Sequence, residues 1–342
     1  MKFSLMYSFV TEPGGAMSHL DTFREMDRLL PLAEELGYDS FHTTEHHFQD
    51  NGWAPSPLLV LAHAAGLTRR MRLATNIMIP TLCQPLRLAE DLLTLDNLSN
   101  GRLTMGTSPG YVSEEFAAYG VAYEDRFRLH EAIIDFIQHA WANPDDAGFE
   151  CPFFRIPKVK LVPRPVQAQL PIWYGVSGPK LLARAARRGV PVTASPRHTI
   201  RELAEQFGRY QDAAATAGYT PTERPVIREA FLADTDAEAE RIAGPALSQI
   251  FALYVKKSAQ GERVLLNDAG EPISSEAAGD FRNFASRYMI GEPATVRRDV
   301  QELIDKLAPT EIILRMQLPG IPTPALEHSL RLFAEQVMPE FA

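Results

Sequence analysis

Apolar runs of strand length and amphipathic runs of helix length alternate along almost the whole of this chain. That alternation limits the possible folds more than any other feature. Strands that alternate with helices pair as a parallel sheet, because each helix carries the chain back across the sheet. Strands are predicted at Lys2–Tyr7, Ser40–Thr44, Arg72–Ile77, Arg102–Thr107, Pro171–Tyr174, Val190–Ala194, Val226–Leu232 and Glu311–Arg315. Helices are predicted over Asp21–Leu36, Pro57–Thr68, Leu86–Leu98, Arg126–Trp141, Pro179–Arg188, Thr199–Ala217, Asp236–Tyr254, Thr295–Leu307 and Pro324–Val337. In the first helix Phe23, Met26, Leu29, Leu30, Ala33 and Leu36 recur at helical spacing, and Gly37 stops it. The third helix carries Leu88, Leu92 and Leu95 on one side and ends at Asn100-Gly101, which suits a left-handed stop.

Eight strand–helix units in 342 residues point to an α/β fold, a single TIM (β/α)8 barrel domain over 1–342 with insertions. Two segments fall outside the alternation. Phe149–Val166 is dense in proline and aromatics and reads as a hairpin-like excursion. Lys257–Tyr288 is polar, holds Gly261, Gly270 and Gly279, and shows no clear core face. A stretch that long inside a compact domain reads as a mobile lid or a disordered loop.

Composition narrows the function. The net charge of −9 argues against nucleic acid as the main partner. Cys83 and Cys151 lie far apart and read as two reduced thiols of a cytoplasmic protein. The N-terminal apolar run is too short for a signal peptide and reads as a buried first strand. No segment approaches the ~20 apolar residues of a membrane span.

The chemistry points to Thr44-Glu45-His46-His47-Phe48, directly after the second strand. Barrels keep their catalytic groups at the C-terminal ends of strands. Histidine is the side chain that, unperturbed, exchanges a proton near neutral pH. On an extended backbone His42, Thr44 and His46 share one face, and Glu45 and His47 the other. The letters His42-Thr43-Thr44-Glu45-His46 also match the H-x-x-E-H pattern of inverted zinc proteases. That chemistry needs both histidines on one helical face. Gly37, Gly52 and Pro55 bracket the run without a helical stripe, so no metal is expected.

Several segments, in order and spacing, resemble the bacterial luciferase-type flavin-dependent monooxygenases, and the luciferase α subunit in particular. They are Met1-Lys2-Phe3, Glu45-His46-His47-Phe48, Pro80-Thr81 with Pro85-Leu86-Arg87-Leu88-Ala89-Glu90-Asp91, and Ser99-Asn100-Gly101-Arg102-Leu103. Pro171-Ile172-Trp173-Tyr174, Ala185-Ala186-Arg187-Arg188-Gly189, Gly291-Glu292-Pro293 and the closing Ser329-Leu330-Arg331-Leu332-Phe333 continue the likeness. The resemblance implies a barrel that takes reduced FMN from a separate flavin reductase. Dioxygen then reacts at the flavin 4a carbon, and the resulting peroxide oxygenates a small organic substrate such as an aldehyde or ketone. It also implies a homodimer through the helices after strands two and three.

Residue by residue, the resemblance makes His46 the acid/base and His47 its orienting partner, with Glu45 fixing a tautomer. Asn76 matches a position that meets the flavin ring, often across a cis peptide. Thr107, Ser108, Gly110 and Tyr111 match a loop that approaches the flavin. Gly175-Val176-Ser177-Gly178 matches the phosphate loop and leads into a helix N-terminus, which suits an anion. Three departures stand out. Pro109 occupies the place of a phosphate-binding arginine and Ser108 that of a cysteine, while the loop's glutamate–serine pair is Ser177-Gly178. Lys180 is the first candidate for the missing positive charge and Arg197 the second. Arg126 and Arg128 are expected at the surface. A deazaflavin-dependent oxidoreductase, a non-catalytic flavin-binding protein and a zinc hydrolase are the alternative readings.

Overall fold

The computed structural model describes residues 1–12, 14–15, 17–259, 264–274 and 276–341, the side chains of 256–259 excepted. The chain divides into two compact units, one of residues 1–39 with 176–342 and one of residues 40–175. The first unit opens with strand β1 (Lys2–Tyr7) and helix α1 (His19–Glu35). A capping box starts α1: Ser18 Oγ accepts from the Asp21 amide, and the Asp21 carboxylate accepts from the Ser18 amide.

The unit of residues 40–175 contains β2 (Ser40–Thr43), α2 (Pro57–Leu67), β3 (Arg72–Met78), α3 (Pro85–Leu98) and β4 (Leu103–Thr107). It continues through α4 (Ser113–Tyr119), α5 (Arg126–Ala142), the short antiparallel pair β5 (Phe149–Glu150) and β6 (Arg155–Ile156), and β7 (Ile172–Tyr174). Its main strands are parallel in the order β7-β4-β3-β2. Asn100 and Gly101 take the left-handed conformation after α3, as the sequence predicts. The β3–β4 register is irregular between Thr75 and Met78, and the Asn76–Ile77 peptide bond is cis. A Cβ on Gly106 would lie 2.2 Å from the Thr75 carbonyl oxygen, so glycine alone fits where β4 passes this stretch. Helix α4 was not anticipated; seven residues are too few for a helical period to register.

In the other unit follow α6 (Pro179–Arg188), α7 (Ile200–Thr216), β8 (Pro225–Leu232), α8 (Asp236–Ala259), β9 (Tyr288–Gly291), α9 (Pro293–Leu307), β10 (Glu311–Arg315) and α10 (Thr323–Gln336). Its strands run parallel in the order β1-β10-β8-β9. Phe3 of β1 meets Phe333 of α10 edge to face at 5.2 Å, which ties sheet to helix.

Two expectations need correction here. Val190–Ala194 is not a full strand: Ala194 makes an isolated parallel bridge to Val226. Pro191 removes one donor from any ladder; Val192 and Ala194 are isolated bridge residues, and the Ala194 amide reaches the Pro225 carbonyl. The segment Lys257–Tyr288 is not polar throughout its described part. Phe281, Phe284 and Arg287 are buried, and Phe284 stacks on Phe251 of α8 at 4.3 Å. These residues recur every three positions along a 3₁₀ stretch, Phe281–Arg287, so a search for a 3.6-residue period misses them. Tyr288 then opens β9, paired with the second half of β8. Residues 260–263 and 275 of the expected lid lie outside the described residues.

Candidate active site

The end of β2 sets the site in the unit of residues 40–175. His42 lies on β2 with Nε2 2.8 Å from Ser40 Oγ and Nδ1 3.3 Å from Asn76 Nδ2. The Asn76 amide donates, so Nδ1 accepts and the ring proton sits on Nε2. The His42 ring stacks on Trp173 of β7 at 5.8 Å. β2 ends at Thr43 and residues 44–47 are not helical. His42 and His46 therefore do not share a helical face, and the zinc-protease geometry is absent.

Glu45 and His47 turn to the same side, as an extended backbone requires. Glu45 Oε1 lies 2.9 Å from His47 Nε2, and Glu45 Oε2 accepts from the Ile79 amide at 2.9 Å. The His47 amide donates to Glu115 Oε1 at 3.1 Å, and the Tyr119 hydroxyl lies 3.1 Å from His47 Nδ1. His47 is buried, whereas His46 is half-buried with its ring edge-on to Trp53 at 4.3 Å. His47 is thus held on both ring nitrogens, and its neighbour is the more accessible of the pair.

Burial pushes the His47 imidazole down, but the Glu45 hydrogen bond and the charges of Glu45 and Glu115 outweigh it, and the net shift is upward. A raised folded value means the folded state holds the proton more tightly. The resulting stability is full below the unfolded value of 6.5 and is lost as pH rises through the folded value. Urea denaturation at a series of pH values rising from 6.5 should show this decline in the native protein, and His47→Gln should remove it.

The loop after β4 is built from its own contacts. The Thr107 hydroxyl lies 3.1 Å from Nε2 of buried His130 on α5, so its side chain is committed to that helix. Ser108 Oγ accepts from the Gly110 amide. Gly110 sits at φ +81°, and a Cβ there would lie 2.8 Å from the Phe116 ring. Tyr111 is half-exposed and its carbonyl accepts from the Tyr123 hydroxyl. The Gly175 amide donates to the Thr107 carbonyl, and a Cβ on Gly175 would lie 2.8 Å from Ile77. Asn76, Thr107, Ser108, Tyr111 and Gly175 therefore gather at the ends of the neighbouring strands β3, β4 and β7. Arg128 is exposed as expected. Arg126 is half-buried, its guanidinium 3.8 Å over the Tyr123 ring and 4.1 Å from that of Phe127.

In the other unit the Val176 carbonyl accepts from Gln206 Nε2 at 3.0 Å. Ser177 precedes Gly178, the N-cap of α6, and no side chain caps that helix. Pro179 has no N–H and the Leu181 and Leu182 amides donate to the Gly178 carbonyl, so this start offers an anion the Lys180 amide and the positive end of the helix dipole. Lys180 lies exposed in the first turn. Arg197 lies over the ring of Tyr254 at 5.4 Å.

The sequence reading missed Trp53, Glu115, Tyr119, His130 and Trp173. Glu115 and Tyr119 stand four apart and so share a face of α4. Nothing local ties that face to a histidine nearly seventy residues earlier.

With this geometry in place, comparison with known proteins is decisive on one point. The family model described as luciferase-like monooxygenase matches residues 1–310. The chain belongs to the luciferase-like monooxygenase family. Within that family it is 27% identical, over 90% of this chain and 85% of the other, to the oxygenase component of the flavin-dependent trigonelline monooxygenase of Acinetobacter baylyi. It is 30% identical to the alkanal monooxygenase alpha chain of Photobacterium leiognathi, over 62% of this chain and 59% of that one. The crystal structure of monooxygenase RslO1 from Streptomyces bottropensis superposes with a TM-score of 0.85 at 28% identity, covering 100% of both chains. This likeness agrees with the TIM-barrel-like α/β class expected for luciferase-like monooxygenases.

Proposed function

We propose that this luciferase-like monooxygenase is an FMN-dependent enzyme that uses reduced FMN, delivered by a separate reductase, and dioxygen to oxygenate a small organic substrate, most simply an aldehyde or ketone. The observation that carries the reading is the histidine pair after β2, with His47 locked by Glu45 and Tyr119 and His46 left more accessible. One partner is fixed and the other is able to exchange a proton.

Two features fit the cofactor. The buried Thr44 hydroxyl has no hydrogen-bond partner among the described residues, which suits a polar ligand edge. The uncapped start of α6, with Ser177, Gly178 and Lys180, suits a phosphate. Bound reduced FMN would supply the electrons that activate dioxygen. Asn76 would meet the ring with its amide, and the loop Thr107–Tyr111 would approach it by backbone. His46 would give or take a proton at its imidazole.

The dimer has its own support. Helix α2 is apolar on nearly every side, yet Leu59 is 73% exposed and Gly66 is also exposed. A second copy packed against this helix would cover Leu59. Leu59→Arg is expected to shift the protein from dimer to monomer in light scattering. A monomeric wild type would overturn the dimer.

Equilibrium binding under anaerobic conditions tests the cofactor directly. The reading expects reduced FMN to bind and Gly178→Asp to weaken it by placing a negative charge at the α6 start. Tighter binding of a deazaflavin than of reduced FMN would replace it with the hydride-transfer alternative.

A further inference from the structure

We propose that Tyr119 is the proton gate of the buried Glu45–His47 pair, so that its hydroxyl is the group through which His47 exchanges its proton with water. The proposal deepens the function above by naming a positioning residue that acts through His47.

Geometry carries it. His47 is 5% exposed, and its Nε2 is taken by Glu45 Oε1 at 2.9 Å. The remaining ring nitrogen, Nδ1, faces the Tyr119 hydroxyl at 3.1 Å. Tyr119 is 45% exposed, and its ring lies edge-on to His47 at 5.0 Å. The phenol therefore bridges a buried nitrogen and solvent. On its outer side it neighbours Phe48, 67% exposed, with ring centroids 6.3 Å apart.

The groups facing this pair come from three segments. Glu45 lies on the same run, and Glu115 and Tyr119 on α4. Cys83, after β3, feels Glu45, and its thiol is pushed up to about 12, chiefly by burial, so it stays protonated. Two carboxylates thus act on one imidazole. This arrangement favours an imidazolium.

The transfer balances without a co-reactant. A solvent proton arrives on the Tyr119 oxygen while the phenolic proton passes to His47 Nδ1. Tyr119 remains neutral and His47 becomes the imidazolium, with Glu45 as its counter-charge. Release runs the same steps in reverse. Phenylalanine at 119 would keep the packing and remove the relay.

The test is nuclear magnetic resonance of the histidine side chains in the full chain labelled with ¹⁵N-histidine, wild type against Tyr119→Phe. Exchange at His47 Nδ1 should slow at least tenfold in the variant, and the acid limb of the pH–turnover profile should move. Equal exchange rates and superimposable profiles would overturn the gate. Should Tyr119→Phe fail to fold, 3-fluorotyrosine at 119 keeps the shape and acidifies the phenol. It should accelerate exchange, and an unchanged rate would overturn the gate equally. The exchange measurement needs no flavin, so a working gate in a protein that does not bind FMN would leave the gate standing and remove the proposed function.

Discussion

His46→Ala is expected to lower turnover about 10²–10⁴-fold, the range a positioned acid/base supplies. The same change should leave the fold almost untouched. His46 is half-buried and sits edge-on to Trp53, whereas His47 makes the bonds to Glu45, Glu115 and Tyr119. Thermal melting should stay close to wild type and reduced FMN should still bind. His47→Ala should behave differently. It strips Glu45 of a partner in a buried place and so lowers stability as well as activity. Turnover and melting measured on both variants separate the two roles. Equal activity of His46→Ala and wild type would leave the histidine without a catalytic part.

Arg315→Met is expected to cost about 3–5 kcal/mol of folding stability, the usual penalty for stranding a buried charge. Arg315 Nε donates to Glu229 Oε2 at 2.6 Å, a second guanidinium nitrogen donates to Oε1, and the same nitrogen meets the Tyr254 hydroxyl at 2.6 Å. All three side chains are buried. Burial opposes the Arg315 charge, but Glu229 and then Tyr254 outweigh it and hold the guanidinium above its ordinary value. Methionine fills the space and leaves the buried Glu229 carboxylate without its bidentate partner, with only Tyr254 and the charge of Arg228 still supporting it. The stranded carboxyl then has a folded value above its unfolded one. The variant should therefore recover stability as pH falls and lose it as pH rises. Adding Glu229→Gln should restore most of the loss, because the uncompensated charge is gone. Urea denaturation at two pH values reads all three expectations. A single variant as stable as wild type at neutral pH would show that the pair is not desolvated.

Strands β1 and β10 and helix α6 were legible to the residue, since dense apolar runs or clear stops bound them. The sixth strand was not, because Pro191 weakens a ladder that an apolar run alone suggests. Phe281–Gly291 hid its core face in a three-residue period, and β9 shows itself only through pairing with β8. At the site, the run Glu45-His46-His47-Phe48 was visible as letters, and the alternation of an extended chain placed Glu45 and His47 together. Their roles entered through resemblance to a family, which spacing could not supply. Glu115 and Tyr119 stayed hidden because tertiary packing, not local pattern, brings α4 onto His47. The hydroxyl of Thr107 was expected to face a flavin, and it is directed at His130, a residue that reads as one more polar position on an amphipathic helix.

The most direct test of the oxygenase reading is to bind reduced FMN to the protein without oxygen, mix it rapidly with oxygenated buffer, and follow flavin absorbance and hydrogen peroxide yield. The account predicts that bound flavin reoxidises more slowly than free flavin. It also predicts that peroxide yield falls when an accepted carbonyl compound is present, and that His46→Ala abolishes this fall. Reoxidation at the rate of free flavin, with full release of hydrogen peroxide across a broad set of carbonyl compounds, would contradict it.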